Sequence, residues 1–138
     1  MADFVACQMA DGAQAMAFGD LFLEDIRRYR EARLAGTGLA PLFPVWGADT
    51  GKLAREMIAA GLVAHVACLD PSKLPASLAG RRFDASLLDE LPAGVDPCAE
   101  NGEFHTFASA GPMFRRPIPI TVGETVTRDG FVFCDLVP

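Results

Sequence analysis

The alternation of apolar runs with mixed segments predicts strands and helices in turn over the first half of the chain. Residues 13–18 are short and apolar on both faces, which is typical of a buried parallel strand. Residues 42–43 and 62–69 predict two more strands, and helical patterns cover residues 21–34 and 51–60 between them. Because strands that are joined by crossover helices lie parallel, this order predicts a partial parallel sheet.

Polar residues mark where the predicted helices begin. Asp20 precedes residues 21–34 and has the side chain of a good N-cap, and Asp49 and Thr50 precede residues 51–60 and are expected to cap that helix. Glycines follow both segments, as expected where a helix ends. Residues 1–9 predict the end of another helix.

The pattern changes near Asp70, and we expect a domain boundary there. Residues 1–70 are predicted to form an α/β domain, and residues 71–138 a small α+β domain that begins with prolines, glycines and one short helix over residues 84–91. The β patterns that follow cover about residues 103–109, 118–126 and 131–133, with a hairpin turn at Asp129 and Gly130.

The first domain is expected to have an unsatisfied sheet edge. Three parallel strands make a thin sheet, and an apolar strand at residues 13–18 needs neighbours on its open side. The domain therefore has the pattern of the back end of a larger α/β domain. The open edge predicts that the chain pairs with another copy of itself or with another chain.

Composition narrows the range of partners. The chain has 138 residues, of which 51% are hydrophobic, and a net charge of −6, which disfavours nucleic acid or an anionic membrane as the main partner. No apolar run has the length of a membrane span, and no secretion signal precedes the first helix, so a cytoplasmic protein is expected.

The cysteine and histidine spacings do not indicate a metal site. The four cysteines include no Cys-x-x-Cys pair, and the two histidines lie at no ligand spacing from a cysteine pair. Reduced thiols in a cytoplasmic protein are the expectation.

Residues 100–106 form the strongest candidate site. The segment places two carboxylates, an amide, an imidazole and a hydroxyl directly before an apolar run, and a core strand does not carry such a cluster because each buried polar group needs a partner. The functional interpretation is a carboxylate pair that holds an amine, an ammonium ion or a metal-bound phosphate, with a histidine that transfers a proton. The structural alternative is a solvated loop with ordinary turn hydrogen bonds. The candidate catalytic residues are Glu100, Asn101, Glu103, His105 and Thr106.

A strand-to-helix junction at Gly19 and Asp20 is the second candidate. Ligands of open α/β sheets bind beyond the carboxyl ends of the strands, and the first amides of a helix attract anions. The structural alternatives are that Asp20 only caps the helix and that Glu24 forms a surface ion pair with Arg27 or Arg28. The chain contains no phosphate-cradling glycine loop.

Three stretches of the chain resemble the diphthine–ammonia ligase family of ATP pyrophosphatases. They are Ala-Phe-Gly-Asp-Leu-Phe-Leu-Glu-Asp-Ile-Arg at residues 17–27, Pro-Leu-Phe-Pro-Val-Trp-Gly at residues 41–47, and Gly-Val-Asp-Pro-Cys at residues 94–98. The third stretch runs into the candidate site at residues 100–106, here called the acidic motif. They occur in the order that the family has, and the resemblance covers about residues 13–136.

The resemblance implies a remnant of a Rossmann-like adenine nucleotide α-hydrolase domain followed by a small α+β domain. It implies ATP and Mg²⁺ as cofactors, a carboxylate on a small molecule or a protein as substrate, and ammonia as the nitrogen donor, with an acyl-adenylate as the intermediate. The acidic motif would then position the acyl acceptor or ammonia. The residues that would border the nucleotide or neutralise its phosphates are Gly19, Asp20, Glu24, Arg27 and Arg30.

One departure from the family is large. The family's Ser-Gly-Gly-x-Asp-Ser loop, whose amides stabilise the leaving pyrophosphate, has no counterpart in this sequence. We therefore expect adenylation by this chain alone to be very slow or absent. Two hypotheses remain: the C-terminal part of an ATP-dependent amide-forming ligase, truncated at its start, or a non-catalytic binding or assembly module that pairs with another chain.

Overall fold

The computed structural model describes the backbone of residues 2–138 and the side chains of Val5 and residues 7–138. The chain divides into two compact units, the first ending at Ala48 and the second comprising Asp49–Pro138. Each unit has its own cluster of buried apolar side chains. No helix within residues 2–138 combines the length and the apolar character that crossing a bilayer requires.

The first unit contains a two-stranded parallel sheet. The strands pair with Ala15 opposite Ala40 and Ala17 opposite Leu42, and a helix crosses between them. The partial parallel sheet is therefore confirmed, with two strands instead of three. The elements are α1 (Ala2–Ala10), β1 (Ala15–Ala17), α2 (Glu24–Leu34) and β2 (Ala40–Leu42).

Two details of the first unit differ from the prediction. Ala15 and Ala17 of β1 are exposed and Met16 is half-buried, so burial on both faces is wrong for this strand. A strand in a two-stranded sheet has one neighbour only, and within the described residues β1 keeps an open edge. The core of the unit lies instead around Val5, Leu34 and Leu39.

Asp20 does not cap α2. The helix begins at Glu24, its N-cap is Leu23, and the Asp20 carboxylate instead accepts a hydrogen bond from Arg30 Nε at 3.4 Å. The physical reason lies at Leu21, which is buried and whose carbonyl accepts a hydrogen bond from the Gly47 N–H at 2.8 Å. Burial of this side chain takes precedence over the local capping preference of Asp20.

The second unit is built on an antiparallel sheet whose strand order is β4-β3-β6-β5. This confirms the α+β character that was predicted for the C-terminal half. The strands are β3 (Val63–Leu69), β4 (Phe104–Ala110), β5 (Thr121–Arg128) and β6 (Phe131–Val137), and the helices are α3 (Thr50–Ala59) and α4 (Ala85–Glu90) with a 3₁₀ turn at Ala76–Leu78.

The predicted direction of β3 is wrong. This strand is not the third parallel strand of the first unit, because it pairs antiparallel with β4 and with β6. An apolar run indicates that a strand is buried on both faces but does not specify its neighbours. Both α3 and β3, which the sequence pattern grouped with residues 1–70, lie in the unit that begins at Asp49.

The local end signals of the second unit are confirmed. The Asp49 carboxylate caps α3, as predicted, by accepting a hydrogen bond from the Lys52 N–H at 2.8 Å. Asp84, for which no cap was predicted, caps α4 by accepting a hydrogen bond from the Leu87 N–H at 3.0 Å. Asp129 and Gly130 form the predicted two-residue hairpin turn, with φ angles of +52° and +83°. These features depend on a few adjacent residues, which is why the sequence reveals them.

The two faces of the antiparallel sheet differ in burial. The inner face packs against α3 and α4 and contributes Val66, Leu69 and Val132 to the core. The opposite face leaves Phe107 and Phe131 exposed. All eight residues of the edge strand β5 are exposed.

Candidate functional site

The first four residues of the acidic motif and the four residues before them form a tight loop between α4 and β4. This segment is here called the acidic loop (residues 96–103). The Asp96 backbone carbonyl accepts a hydrogen bond from the Ala99 N–H at 2.8 Å, and its carboxylate accepts one from the Glu100 N–H at 2.8 Å. Ala99 and Gly102 adopt left-handed backbone conformations, with φ angles of +58° and +74°. The loop is thus folded around the side chain of a buried aspartate.

Glu103 closes the acidic loop and is only 3% exposed. Its Oε1 accepts hydrogen bonds from the Asp96 N–H at 3.2 Å and from the Asn101 side-chain amide at 3.1 Å. Its Oε2 is buried and has no hydrogen-bond partner among the described residues. A buried carboxylate oxygen without a donor is costly, so this atom indicates a position where a ligand can donate.

Glu103 lines a cavity of about 490 Å³, here called the Glu103 cavity. Lys73 also lines it and donates from Nζ to the Asn101 backbone carbonyl at 3.3 Å. The cavity therefore contains a carboxylate and an ammonium group within one small space. The remaining lining residues are Ser72, Pro92, Ala93, Gly94, Val95 and Asn101.

The environment keeps Glu103 ionised at neutral pH. Burial acts to raise the pKa of the carboxyl, but hydrogen bonds from Asn101, from the Asp96 N–H and from its own N–H, together with the charge of Lys73, hold the pKa below its usual value. An ionised, nearly buried carboxylate with one unmatched oxygen is suited to an N–H or O–H donor or to an ammonium ion.

His105 and Thr106 line a different cavity, of about 290 Å³, here called the His105 cavity. Cys98 lines it as well, and its thiol donates a hydrogen bond to the Thr50 carbonyl at 3.4 Å. Burial, helped by the charges of Asp96 and Glu100, raises the pKa of the Cys98 thiol to about 11. This thiol is therefore not a nucleophile at neutral pH.

The five predicted catalytic residues thus surround one loop but do not share one cavity. Asn101 and Glu103 line the Glu103 cavity, whereas His105 and Thr106 line the His105 cavity. Glu100 lies within the loop, with its N–H bound to Asp96. Their assignment as catalytic groups stays a prediction.

The first unit contains a stack of arginines and rings, here called the arginine–aromatic ladder (Phe18, Arg27, Arg30, Phe43 and Trp46). The Arg27 guanidinium lies 4.8 Å from the centre of the Phe43 ring and 4.7 Å from that of Trp46. Phe43 stacks on Phe18 at 5.5 Å between centroids, and Arg30 lies 5.1 Å over the Phe18 ring. Cation–π contacts of this kind stabilise a fold by roughly 0.5–2 kcal/mol each, depending on desolvation.

The predicted nucleotide-binding residues have different positions relative to this ladder. Asp20 joins it through Arg30, and Arg27 forms an ion pair with Glu31 at 3.0 Å. The alternative pair of Glu24 with Arg27 is therefore not formed, and Glu24 is exposed at the start of α2. Gly19 is exposed, and no atom lies within 4 Å of where a Cβ would stand, so the backbone there is approachable. Their role in nucleotide binding stays a prediction.

Sequence reasoning missed two members of the site. Asp96 organises the acidic loop, and the signal for it was its position in the Gly-Val-Asp-Pro-Cys stretch just before the motif. Lys73 comes from the segment after β3, some 30 residues earlier in the chain, and no local pattern marks it. Within residues 2–138, no group of three or more histidine, cysteine or acidic side chains is placed to hold a metal ion.

Comparison with known proteins identifies relatives of both units. The family of the diphthamide synthase C-terminal domain matches residues 49–136, which is nearly the whole second unit. A diphthine–ammonia ligase from Danio rerio is 38% identical over 118 residues, covering 80% of this chain and 46% of that protein. A diphthine–ammonia ligase from Rattus norvegicus is 32% identical over 117 residues, covering 80% of this chain and 44% of that protein. The chain spans about half the length of these curated relatives.

Proposed function

The chain belongs to the diphthamide synthase family through its C-terminal domain, and on this premise we propose that it is the acceptor-side part of an ATP-dependent amide-forming ligase. The observation that carries the proposal is the buried, ionised Glu103, which lines a cavity and has one carboxylate oxygen without a hydrogen-bond partner among the described residues. In the proposed reaction a carboxylate is activated as its adenylate with loss of pyrophosphate. Ammonia then attacks the acyl carbon, AMP leaves, and one proton passes to a base.

The proposal assigns the nitrogen donor to the Glu103 cavity. Glu103 Oε2 accepts an N–H of ammonium, while the Asp96 N–H and the Asn101 amide hold the other carboxylate oxygen in place. The bound ammonium ion releases one proton to water before it attacks as ammonia, and the second proton is the one that passes to the base after the attack. A carboxylate that is fixed before the ligand arrives loses little freedom on binding, which favours both affinity and orientation. The positive charge of Lys73 at the same cavity suits the anionic carboxylate of the substrate.

This chain's residues do not fit the whole nucleotide. The sequence contains no glycine-rich loop for a triphosphate, so no step here is assigned to triphosphate binding by this chain. Mg²⁺ belongs with that triphosphate in the proposal. The acyl substrate is a carboxylate on a small molecule or a protein, and the reaction is placed in the cytoplasm.

A second candidate function is a non-catalytic binding or assembly module. The open edge of β1 favours it, because a two-stranded parallel sheet presents unpaired backbone groups to a further strand. In this alternative the chain pairs with another copy or another chain through residues 15–17, and the Glu103 cavity binds without turnover.

The proposal is tested by titrating ¹⁵N-labelled protein with ammonium chloride, with sodium chloride as the matched salt. We expect the amide signals of Asp96 and Asn101 to shift with ammonium only, and to stop shifting in Glu103→Gln. Glu56→Gln, which changes an exposed carboxylate of α3, serves as the control variant and should behave like the wild type. Equal shifts in Glu103→Gln, or with sodium, would contradict the assignment.

Calorimetry with ATP and Mg²⁺ tests the missing triphosphate site separately. We expect weak or no binding by the chain alone, because no glycine loop supplies amides for the phosphates. Micromolar affinity would show that other residues of this chain bind the triphosphate.

A further inference from the structure

The edge strand β5 is unusually open for its length. All eight of its residues are exposed, whereas its neighbour β6 buries Val132 and Cys134. An edge strand presents a row of N–H and C=O groups that can pair with another strand. Natural edges are commonly guarded by proline, by lysine or by a bulge, and β5 contains neither proline nor lysine.

A β-bulge protects one end of β5 from pairing with a further strand. A bulge places Gly123 and Glu124 opposite the single residue Asp135. A Cβ at position 123 would lie 3.2 Å from Asp135 Cβ, which explains the glycine. Residues 125–128 pair without interruption with residues 131–134, so this half of the strand is straight and regular.

The hairpin turn sets which backbone groups of β5 point outward. A two-residue turn makes Arg128 and Phe131 a hydrogen-bonded pair, and bonded and non-bonded pairs then alternate along the ladder. Arg128 and Val126 therefore direct their backbone groups to β6. Thr125 and Thr127 direct theirs to the open edge.

A second copy of the chain satisfies those outward groups through a two-fold axis at Val126. In antiparallel self-pairing about this residue, Thr125 faces the second copy's Thr127 and the two exchange backbone hydrogen bonds. Val126, which is 44% exposed, then lies against its own counterpart. The same register places Glu124 directly opposite the second copy's Arg128.

The charges on this face are unmatched within one copy. The register places Glu124 beside Asp135, and neither carboxylate forms an ion pair among the described residues. The Arg128 guanidinium lies over the Phe133 ring at 4.8 Å and likewise has no carboxylate partner there. Across the two-fold axis each arginine meets an acidic pair, so the surface is complementary to itself.

From the open edge, the register and the charges, we propose that two copies of this chain associate through β5 to form a continuous eight-stranded antiparallel sheet. The inference is independent of the proposed ligase function. It also differs from pairing through β1, because it uses the antiparallel sheet of the second unit.

Charge reversal in the full chain tests the proposal by sedimentation over a range of protein concentrations. Arg128→Glu and Glu124→Arg should each weaken the dimer by about tenfold or more, because each places like charges across the axis. The double variant restores opposite charges and should return to within about threefold of the wild type. Arg116→Glu, an exposed reversal outside the strands, is the control and should leave the dimer unchanged.

Amide hydrogen exchange provides a second measurement that does not depend on the charges. The Thr125 and Thr127 amides should exchange more slowly as the wild-type concentration rises, and Arg128→Glu should abolish that dependence. A wild type that stays monomeric, a dimer that resists both single reversals, or a double variant that stays dissociated would each overturn the proposal.

Discussion

The acidic loop and the arginine–aromatic ladder differ in whether their charged side chains have partners. In the ladder, Arg27 lies against two rings and pairs with Glu31, and Arg30 lies over a ring and pairs with Asp20. In the acidic loop, Glu103 is more deeply buried, yet one of its oxygens has no partner among the described residues. Both arginines of the ladder already have a carboxylate partner, so binding a phosphate with them would break existing contacts. The carboxylate oxygen that lacks a hydrogen-bond donor lies in the acidic loop.

The largest effect is expected when the buried carboxylate is removed. Glu103→Ala takes away the acceptor of the buried Asp96 N–H and of the exposed Asn101 amide, and a buried donor without an acceptor costs about 1–3 kcal/mol. We expect the free energy of unfolding of the second unit to fall by about 2–3 kcal/mol in urea titrations, because the packing of the side chain is lost as well. Glu56→Ala, an exposed carboxylate on α3, is the control and should stay within about 0.5 kcal/mol. A Glu103 variant as stable as this control would remove the contrast between loop and ladder.

A smaller effect is expected in the ladder. Arg27→Met keeps much of the aliphatic stem but removes the cation that lies over Phe43 and Trp46, and the expected loss is about 1–2 kcal/mol. Trp46 is the only tryptophan, so its fluorescence reports unfolding of the first unit directly. Arg28→Met changes the adjacent exposed arginine and should have little effect. Equal losses in the two variants would show that the ladder contributes nothing particular.

The smallest expected effect is the pH dependence of stability, which distinguishes the contribution of Glu103 in the acidic loop from that of His65. Burial, and then the charge of Arg82, lowers the pKa of His65, whose Nδ1 also lacks a partner among the described residues. As the pH decreases, the imidazole of His65 is therefore protonated in the unfolded chain before it is protonated in the folded chain. The free energy of unfolding consequently falls below about pH 6.5. The lowered pKa of Glu103 acts at lower pH, where its contribution, complete above about 4.3, is lost as the carboxyl protonates.

Melting temperatures measured across that range distinguish the two groups. His65→Gln should flatten the upper part of the profile and leave the acidic part intact. Glu103→Gln should do the reverse. A wild-type profile that is level between pH 7 and about 5 would show that His65 protonates freely in the folded state.

The sequence predicted those parts of the fold that depend on neighbouring residues. Asp49 and the turn at Asp129 act within three or four positions, and each is found as predicted. Asp20 followed the same local rule and failed, because burial of Leu21 contributes more than one cap. The direction of β3 failed for a related reason, since its partners lie about 40 and 65 residues later in the chain.

The residue types of the candidate site were visible in the sequence, but their arrangement around two cavities was not. The residue types of the acidic motif indicated a site, and the structure places Glu103 on a cavity. The division between the Glu103 cavity and the His105 cavity was not predictable. No residue type marked the turn of the acidic loop, where Ala99 adopts a left-handed conformation that is expected mainly at a glycine.

The backbone conformation of Ala99 has a consequence for the stability of the acidic loop. At φ +58°, the conformational energy of alanine is about 1–2 kcal/mol higher than that of glycine. Ala99 is also one of the residues that line the His105 cavity. The acidic loop therefore contains a strained residue at the edge of this cavity. A glycine at position 99 would relieve that strain and would remove one methyl group from the residues around the cavity.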